Sequence, residues 1–283
     1  LKLFALYSSS VTFSLLFAIF STSLGTLYYY GDLLDHLSSC KSPHEMFGDI
    51  LKSYYAEKIG VKPEDIFVVS IMPCSCKKYE KNRPEMEENG LRDVDAVLTT
   101  RELGRVIRRS GIMFDRLPDE DFDNDIVHDY TGAGVIFGVT GGVMEAALRT
   151  AYYVLTGKEK EGIIFNEVRG FEQIREAEFD LAGNKIKVAI TSGMKGAKVL
   201  LDQIRAGKSP YTFIEIMGCP GGCVNGGGQP YVRDVFLPNE DDDIMETYIA
   251  KRASALYSED EKQVIRQSLN NEQVQTLYKE FLG

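Results

Sequence analysis

The chain has 283 residues, 44% apolar and 26% charged, long enough for one large domain or two lobes with a sizeable core. A net charge of −10 with no basic cluster argues against nucleic acid and anionic membrane surfaces as partners. Five cysteines in a chain this long do not make a disulfide framework.

The opening stretch, LKLFALYSSSVTFSLLFAIFSTSLG, is apolar but follows neither a helical nor a strand period. Lys2 ahead of it fits a signal peptide or anchor, while the interspersed Ser and Thr argue against a spanning helix. Ser42-Pro43-His44-Glu45 combines a capping box with proline at the first helical position, predicting a helix to Ile59 stopped by Gly60. Asp65 to Pro73, DIFVVSIMP, is a continuous apolar, β-branched run and predicts a buried strand, so Cys74 falls just past its end. A second strand starts at Asp95, and Thr99 with Glu102 caps a basic amphipathic helix reaching Gly111. The acidic run from Pro118 to Asp129 reads as a solvated loop.

From Thr131, TGAGVIFGVTGG leads into a helix from Val143 to Thr156. Its glycines have the wrong spacing for a dinucleotide loop, which leaves close backbone packing as their use. GIIFNEVRG is strand-like, AEFDLAGNKIKVAIT is a hairpin around Ala182-Gly183-Asn184, and GMKGAKVLLDQIRAG is a helix closed by Gly207. TFIEIM is a short buried strand with Cys219 just beyond it. Both cysteine groups thus stand at the carboxyl ends of apolar strands, where open α/β sheets place ligands. The fold expected is α/β and two-lobed, each lobe a mostly parallel sheet flanked by helices, with a metal site between the lobes. The polar, helical segment from about Val232 reads as a peripheral wrap.

Cys74 and Cys76 form one close thiol group, Cys219 and Cys223 the other, and Cys40 stands alone. Zinc sites favour C-x-x-C pairs, whereas the spacings here are C-x-C and C-x-x-x-C. Proline and paired glycines between thiolates let backbone pass close to a bulky cluster and aim N–H groups at sulfur. From spacing alone an iron–sulfur cluster, a zinc ion and buried inert thiols all stay open.

The residues themselves carry a resemblance. IMPCSCKKYE and EIMGCPGGCVNGGGQP closely resemble two signature motifs of the iron-only (FeFe) hydrogenases. LSSCKSPHEMFG, RDVDAVLTTREL, TGAGVIFGVTGGVMEAALRTAY and NEVRG resemble the sequence around those motifs, and RASALYSEDEKQVIRQSLNNEQVQTLYKEFLG resembles the small-subunit region. The resemblance divides the chain into 1–27, a non-family apolar segment, 28–231, an H-cluster domain, and 232–283, a small-subunit-like tail. It implies an H-cluster, a four-iron cubane joined through one cysteine to a two-iron site with CO, cyanide and dithiolate ligands, and reversible H2 oxidation and proton reduction. Cys74, Cys219 and Cys223 would bind the cubane, with Cys223 bridging to the two-iron site. Lys77 would donate to a cyanide; Met72, Met217 and Phe137 would wall the two-iron cavity; Ser38, or Ser39, would lie on the proton path. The implied partners are a ferredoxin or similar electron carrier and the maturation proteins, in the cytoplasm or a hydrogenosome-type organelle.

The pattern also departs from the family. A third motif with two adjacent cysteines, one a cubane ligand and one a proton shuttle, is expected about twenty residues before Ser38, where FAIFSTSLGTLYYYG has none. Cys40 and Cys76 match no family ligand. The expectation is therefore an incomplete form with impaired activity, residues 1–27 being a gene-model artefact or targeting segment. A non-catalytic iron–sulfur assembly factor and a sensory hydrogenase are the alternatives.

Overall fold

The computed structural model describes residues 15–18, 28–123, 126–158, 165–181, 183–231 and 242–283. Most of the opening apolar stretch, residues 162–164 of the expected GIIFNEVRG strand, and the start of the tail lie outside the described residues. The strands are β1 (Leu15–Ala18), β2 (Val69–Met72), β3 (Glu87–Glu88), β4 (Leu91–Arg92), β5 (Ala96–Thr99), β6 (Ile174–Leu181), β7 (Asn184–Ser192) and β8 (Phe213–Met217).

The larger lobe is built on a sheet of order β1-β8-β7-β6. β8 lies parallel to both β1 and β7, and β6 returns antiparallel in the expected hairpin, Leu181 opposite Asn184. Period-two alternation sends neighbouring residues to opposite faces. Ala189, Ile214 and Ile216 pack with Ala197, Leu200, Leu201 and Ile204 of the Gly193–Arg205 helix. Val188, Ile190 and Ala177 pack with Met144, Leu148 and Ala151 of the Gly142–Thr156 helix. β1, with the sequence LLFA, stands at the end of this sheet among the described residues.

The smaller lobe pairs β2 parallel to β5 in the register Met72 opposite Thr99, over a core of Val68, Val94 and Val97. The expectation of a buried strand at 65–73 is corrected here. Only four residues are strand, and Val69 and Ile71 are 46% and 47% exposed: the alternation puts both on one face of β2, opposite the buried Ser70, and that face is left open. Thr99 and Glu102 do form the capping box. Ser42 and Glu45 do not: Ser42 makes no side-chain cap, and the helix runs Pro43–Ile50, through a π-turn at Leu51–Tyr55, to Ala56–Ile59 and a left-handed Gly60. Asn166–Val168 is a 3-10 turn rather than a strand, its Phe165 and Val168 filling the core under β6 and β7.

The glycines after Thr131 pack against the tail. A Cβ on Gly132 would stand 2.0 Å from Asp260 Oδ1, and one on Gly138 2.6 Å from Leu256 Cδ1. The tail helix Asp242–Lys262 is therefore seated in the lobe and is more than a peripheral wrap. Its Asp260 makes paired bonds of 2.8 Å to Arg149, which also donates to Glu145 and to Arg266 O, and the Asp260, Arg149 and Glu145 side chains are fully buried. Arg169 also reaches Glu145 at 2.8 Å and Arg266 reaches Asp260 at 2.6 Å, so every buried charge here has an opposite.

Removing one partner from such a network strands a buried charge. Asp260→Ala is expected to cost about 3–5 kcal/mol, read as a lower urea midpoint. Lys198→Ala, which breaks a surface pair with Asp202, is expected to leave the midpoint unchanged.

Candidate metal centre

The two cysteine loops meet. β2 ends at Met72 and β8 at Met217, and the loop beyond β8 crosses to the other lobe. Gly228 N–H donates to Pro73 O at 3.0 Å, and Arg101 N–H of the small lobe donates to Gly228 O at 3.2 Å. The approach is so close that a Cβ on Gly226 would lie 2.0 Å from Pro73 O, and one on Gly228 2.7 Å from Cys74 N. Between Cys219 and Cys223 the chain turns through Gly221 and Gly222, at φ 76° and 99°, which side chains other than glycine rarely adopt. Gly222 N–H closes that turn on Cys219 O at 2.9 Å.

The sulfurs feel one another. Burial, with Cys219 and Cys74 beside it, pushes the Cys223 thiol up to about 11. Cys219 is raised by burial and by Cys74, and a Gly227 N–H aimed at it acts the other way. Cys74, Cys219 and Cys223 are thus brought together in one half-buried cleft. They do not converge on a single point: among the described residues no three metal-binding atoms that include these thiols lie within 4.8 Å of one another. Four thiolates at 2.3 Å from a zinc ion would sit about 3.8 Å apart. Spread thiols with N–H groups directed at sulfur suit a polynuclear iron–sulfur group instead. Cys76 is exposed, its thiol hydrogen-bonded to Cys74 and raised by partial burial and that neighbour, and Cys40 is exposed; both thiols are free.

The remaining sequence candidates are placed as follows. Lys77 is buried and donates to Glu80 Oε2 at 2.6 Å, and its charge acts on Cys223. Its neighbour Lys78 turns outward to Glu102. Met217 is buried at the end of β8, and Met72 packs on the small-lobe core beside Cys74. Phe137 is half-buried in the 3-10 turn Ile136–Gly138, next to the backbone against which Gly222 packs. Ser38 is half-buried and accepts the Cys40 N–H at 3.3 Å, and no described contact joins it to the thiols.

Sequence reasoning missed Glu215 and Glu80. Glu215 is fully buried on β8 and accepts the N–H groups of Gly141 at 2.6 Å and Met144 at 2.7 Å. Burial pushes it up to about 7 despite those bonds. It ties the start of the Gly142–Thr156 helix, and with it the Phe137 turn, to the strand that delivers Cys219. A lone carboxylate inside TFIEIM was the available signal. For Glu80 it was the three-residue step from Lys77, one helical turn.

Comparisons with known proteins agree with this arrangement. The family profile "Iron only hydrogenase large subunit, C-terminal domain" matches residues 27–227, and "Iron hydrogenase small subunit" matches 246–283. The periplasmic [Fe] hydrogenase large subunit of Nitratidesulfovibrio vulgaris is 52% identical over 208 residues, 74% of this chain and 49% of that protein. Iron hydrogenase 1 of Clostridium pasteurianum is 44% identical over 256 residues, 90% of this chain and 43% of that protein. The chain therefore spans about half the length of these curated relatives. A solved structure of the [FeFe]-hydrogenase HydA1 from Chlamydomonas reinhardtii, a variant form, superposes with a TM-score of 0.77 at 36% identity, covering 96% of this chain and 72% of that one. More distant is a cytosolic Fe-S cluster assembly factor of Xenopus tropicalis, 32% identical over 70% of this chain and 42% of that protein. Among the described residues no helix is long and apolar enough to cross a membrane.

The contact between the loops yields a test. Gly228→Ala is expected to push Cys74 away and reduce iron bound per chain on reconstitution several-fold, with far-UV circular dichroism unchanged. Gly227→Ala keeps its N–H, meets only Ser75 Oγ at 3.3 Å, and is expected to load like the parent.

Proposed function

Because the chain belongs to the iron-only hydrogenase family, we propose that it interconverts H2 with protons and electrons at an H-cluster held between its lobes. The observation that carries this reading is the Gly228–Pro73 hydrogen bond, which clips together the loops bearing Cys74, Cys219 and Cys223. Solved relatives are named for the same group, one of them for its stepwise H-cluster assembly.

Cys74, Cys219 and Cys223 would hold the four-iron part of the group, and Cys223 would also hold the two-iron part. When bound, the group supplies Lewis acidity for splitting H2 and a store for its electrons. The protein supplies the rest. The Cys219 and Cys223 thiols, raised by burial, would lose their protons on binding iron, since a coordinating thiol is deprotonated outright. Lys77 presents a fixed, buried ammonium to an anionic ligand, with Glu80 setting its direction. Met72, Met217 and Phe137 close the cavity with soft or apolar surface and keep water out. Ser38 carries protons outward through its hydroxyl. Electrons enter from a ferredoxin-type carrier, and maturation proteins deliver the two-iron part. The free thiols suit a reducing compartment, cytoplasmic or organellar, although one relative is named periplasmic.

Anaerobic maturation followed by hydrogen evolution from reduced methyl viologen tests the proposal. With the cysteine pair expected before Ser38 missing, the chain is expected to evolve hydrogen at a much reduced rate, and Cys223→Ala to fall to background. Iron–sulfur absorbance with no hydrogen at all would favour iron–sulfur cluster assembly, the role for which the more distant Xenopus tropicalis relative is named.

A further inference from the structure

The helix Pro43–Ile50 begins without the cap its sequence offers, and the reason is Glu45. Ser42 Oγ is buried without a hydrogen-bond partner, and Glu45 has turned inward. Its side chain is fully buried, and neither carboxylate oxygen receives a hydrogen bond. Glu45 Oε1 lies 3.2 Å from His44 Nε2, which also stands 3.1 Å from Glu80 Oε2. Glu80 Oε2 in turn accepts from Lys77 Nζ at 2.6 Å. Asp93 and Lys41 face Glu45 from the other side, and Lys41 is paired to Asp93 at 2.7 Å and to the half-exposed Asp49 at 3.8 Å.

A buried, ionised carboxylate with no donor is too costly to persist and must be neutralised by a cation or a proton. The donor atoms of His44, Glu45 and Glu80 lie within 4.8 Å of one another, a spacing a divalent ion would accept. Charge decides against the ion. Three buried carboxylates, Glu45, Glu80 and Asp93, face two ammonium groups, Lys77 and Lys41, around a neutral imidazole. One negative charge is left over. A single proton cancels it, whereas a divalent ion would leave a buried positive charge, and Lys77 already occupies Glu80.

We propose that Glu45 is a carboxylic acid in the folded protein, beside His44, Glu80 and Lys77. The proton stays on Glu45: burial holds the His44 ring below its ordinary value, and Glu80, although buried, is held below its own by His44 and Lys77. A neutral Glu45 thereby leaves Glu80 ionised to hold Lys77. Glu45 is thus a positioning residue for Lys77, a consequence that rests on the hydrogenase reading, while the protonation itself does not.

The test uses the cluster-free chain and infrared difference spectra, wild type minus Glu45→Gln, in which the buried acid of Glu215 cancels. The expected result is a carboxylic-acid carbonyl band at pH 5 that shifts in D2O and titrates away with a midpoint near 7. Raising an acid's pKa on folding gives stability that is complete below its ordinary value and lost as pH rises through the raised one. Glu45→Gln is therefore expected to raise Tm at pH 8 and leave it unchanged at pH 5. Should the glutamine variant not fold, Glu45→Asp supplies the same difference as a displaced band. Absence of any Glu45-dependent acid band from pH 5 to 9 would overturn the proposal. So would Mn2+ binding by electron paramagnetic resonance that Glu45→Gln abolishes. No outcome involves hydrogen, so this proposal and the hydrogenase reading fail separately.

Discussion

One backbone hydrogen bond, from Gly228 N–H to Pro73 O, organises the centre of this protein. By itself such a bond is worth about 1 kcal/mol. Its importance is geometric, because it joins the loop that follows β8 to the loop that follows β2 and so sets where Cys74 stands relative to Cys219 and Cys223. The glycines of GGGQP exist for this crossing. At Gly226 and Gly228 there is no room for a side chain against Pro73 and Cys74, while Gly227 is left to direct its N–H at Cys219.

Around that clip the charges are arranged so that few are unmatched. Three guanidiniums, of Arg149, Arg169 and Arg266, surround the two buried carboxylates of Glu145 and Asp260 where the tail enters the larger lobe. Glu215 spends its carboxylate on the N–H groups at a helix start, where the partial positive charge of the helix favours it. Lys77 is balanced by Glu80. Burial raises the Cys219 and Cys223 thiols, and iron is the partner that would draw off their protons. Stability and readiness for a cluster therefore come from the same low-dielectric surroundings.

The parts that were legible in the sequence were those in which local chemistry and the final environment agree. The β-branched and apolar runs gave β5, β7 and β8, the Thr99–Glu102 box formed, and Gly60, Gly157 and Gly207 stop helices with positive φ. The meeting of two cysteine groups followed from both lying at carboxyl ends of strands. What failed to show was set by distant partners. Glu45 has the right spacing for a cap but is drawn into a cluster with Glu80, thirty-five positions on. Phe165 and Val168 look strand-like because both are buried, yet a 3-10 turn buries them equally well. Val69 and Ile71 are apolar without being covered, and the tail's buried Asp260 is indistinguishable in sequence from its solvated acidic neighbours.

The most direct measurement is thiol cross-linking of the cluster-free chain with dibromobimane, in a Cys40→Ser, Cys76→Ser background, followed by peptide mapping. The account requires a bridge between the peptide holding Cys74 and the one holding Cys219 or Cys223. Single, unbridged labels on Cys74 in a folded chain would show that the two loops do not meet, and the site would dissolve.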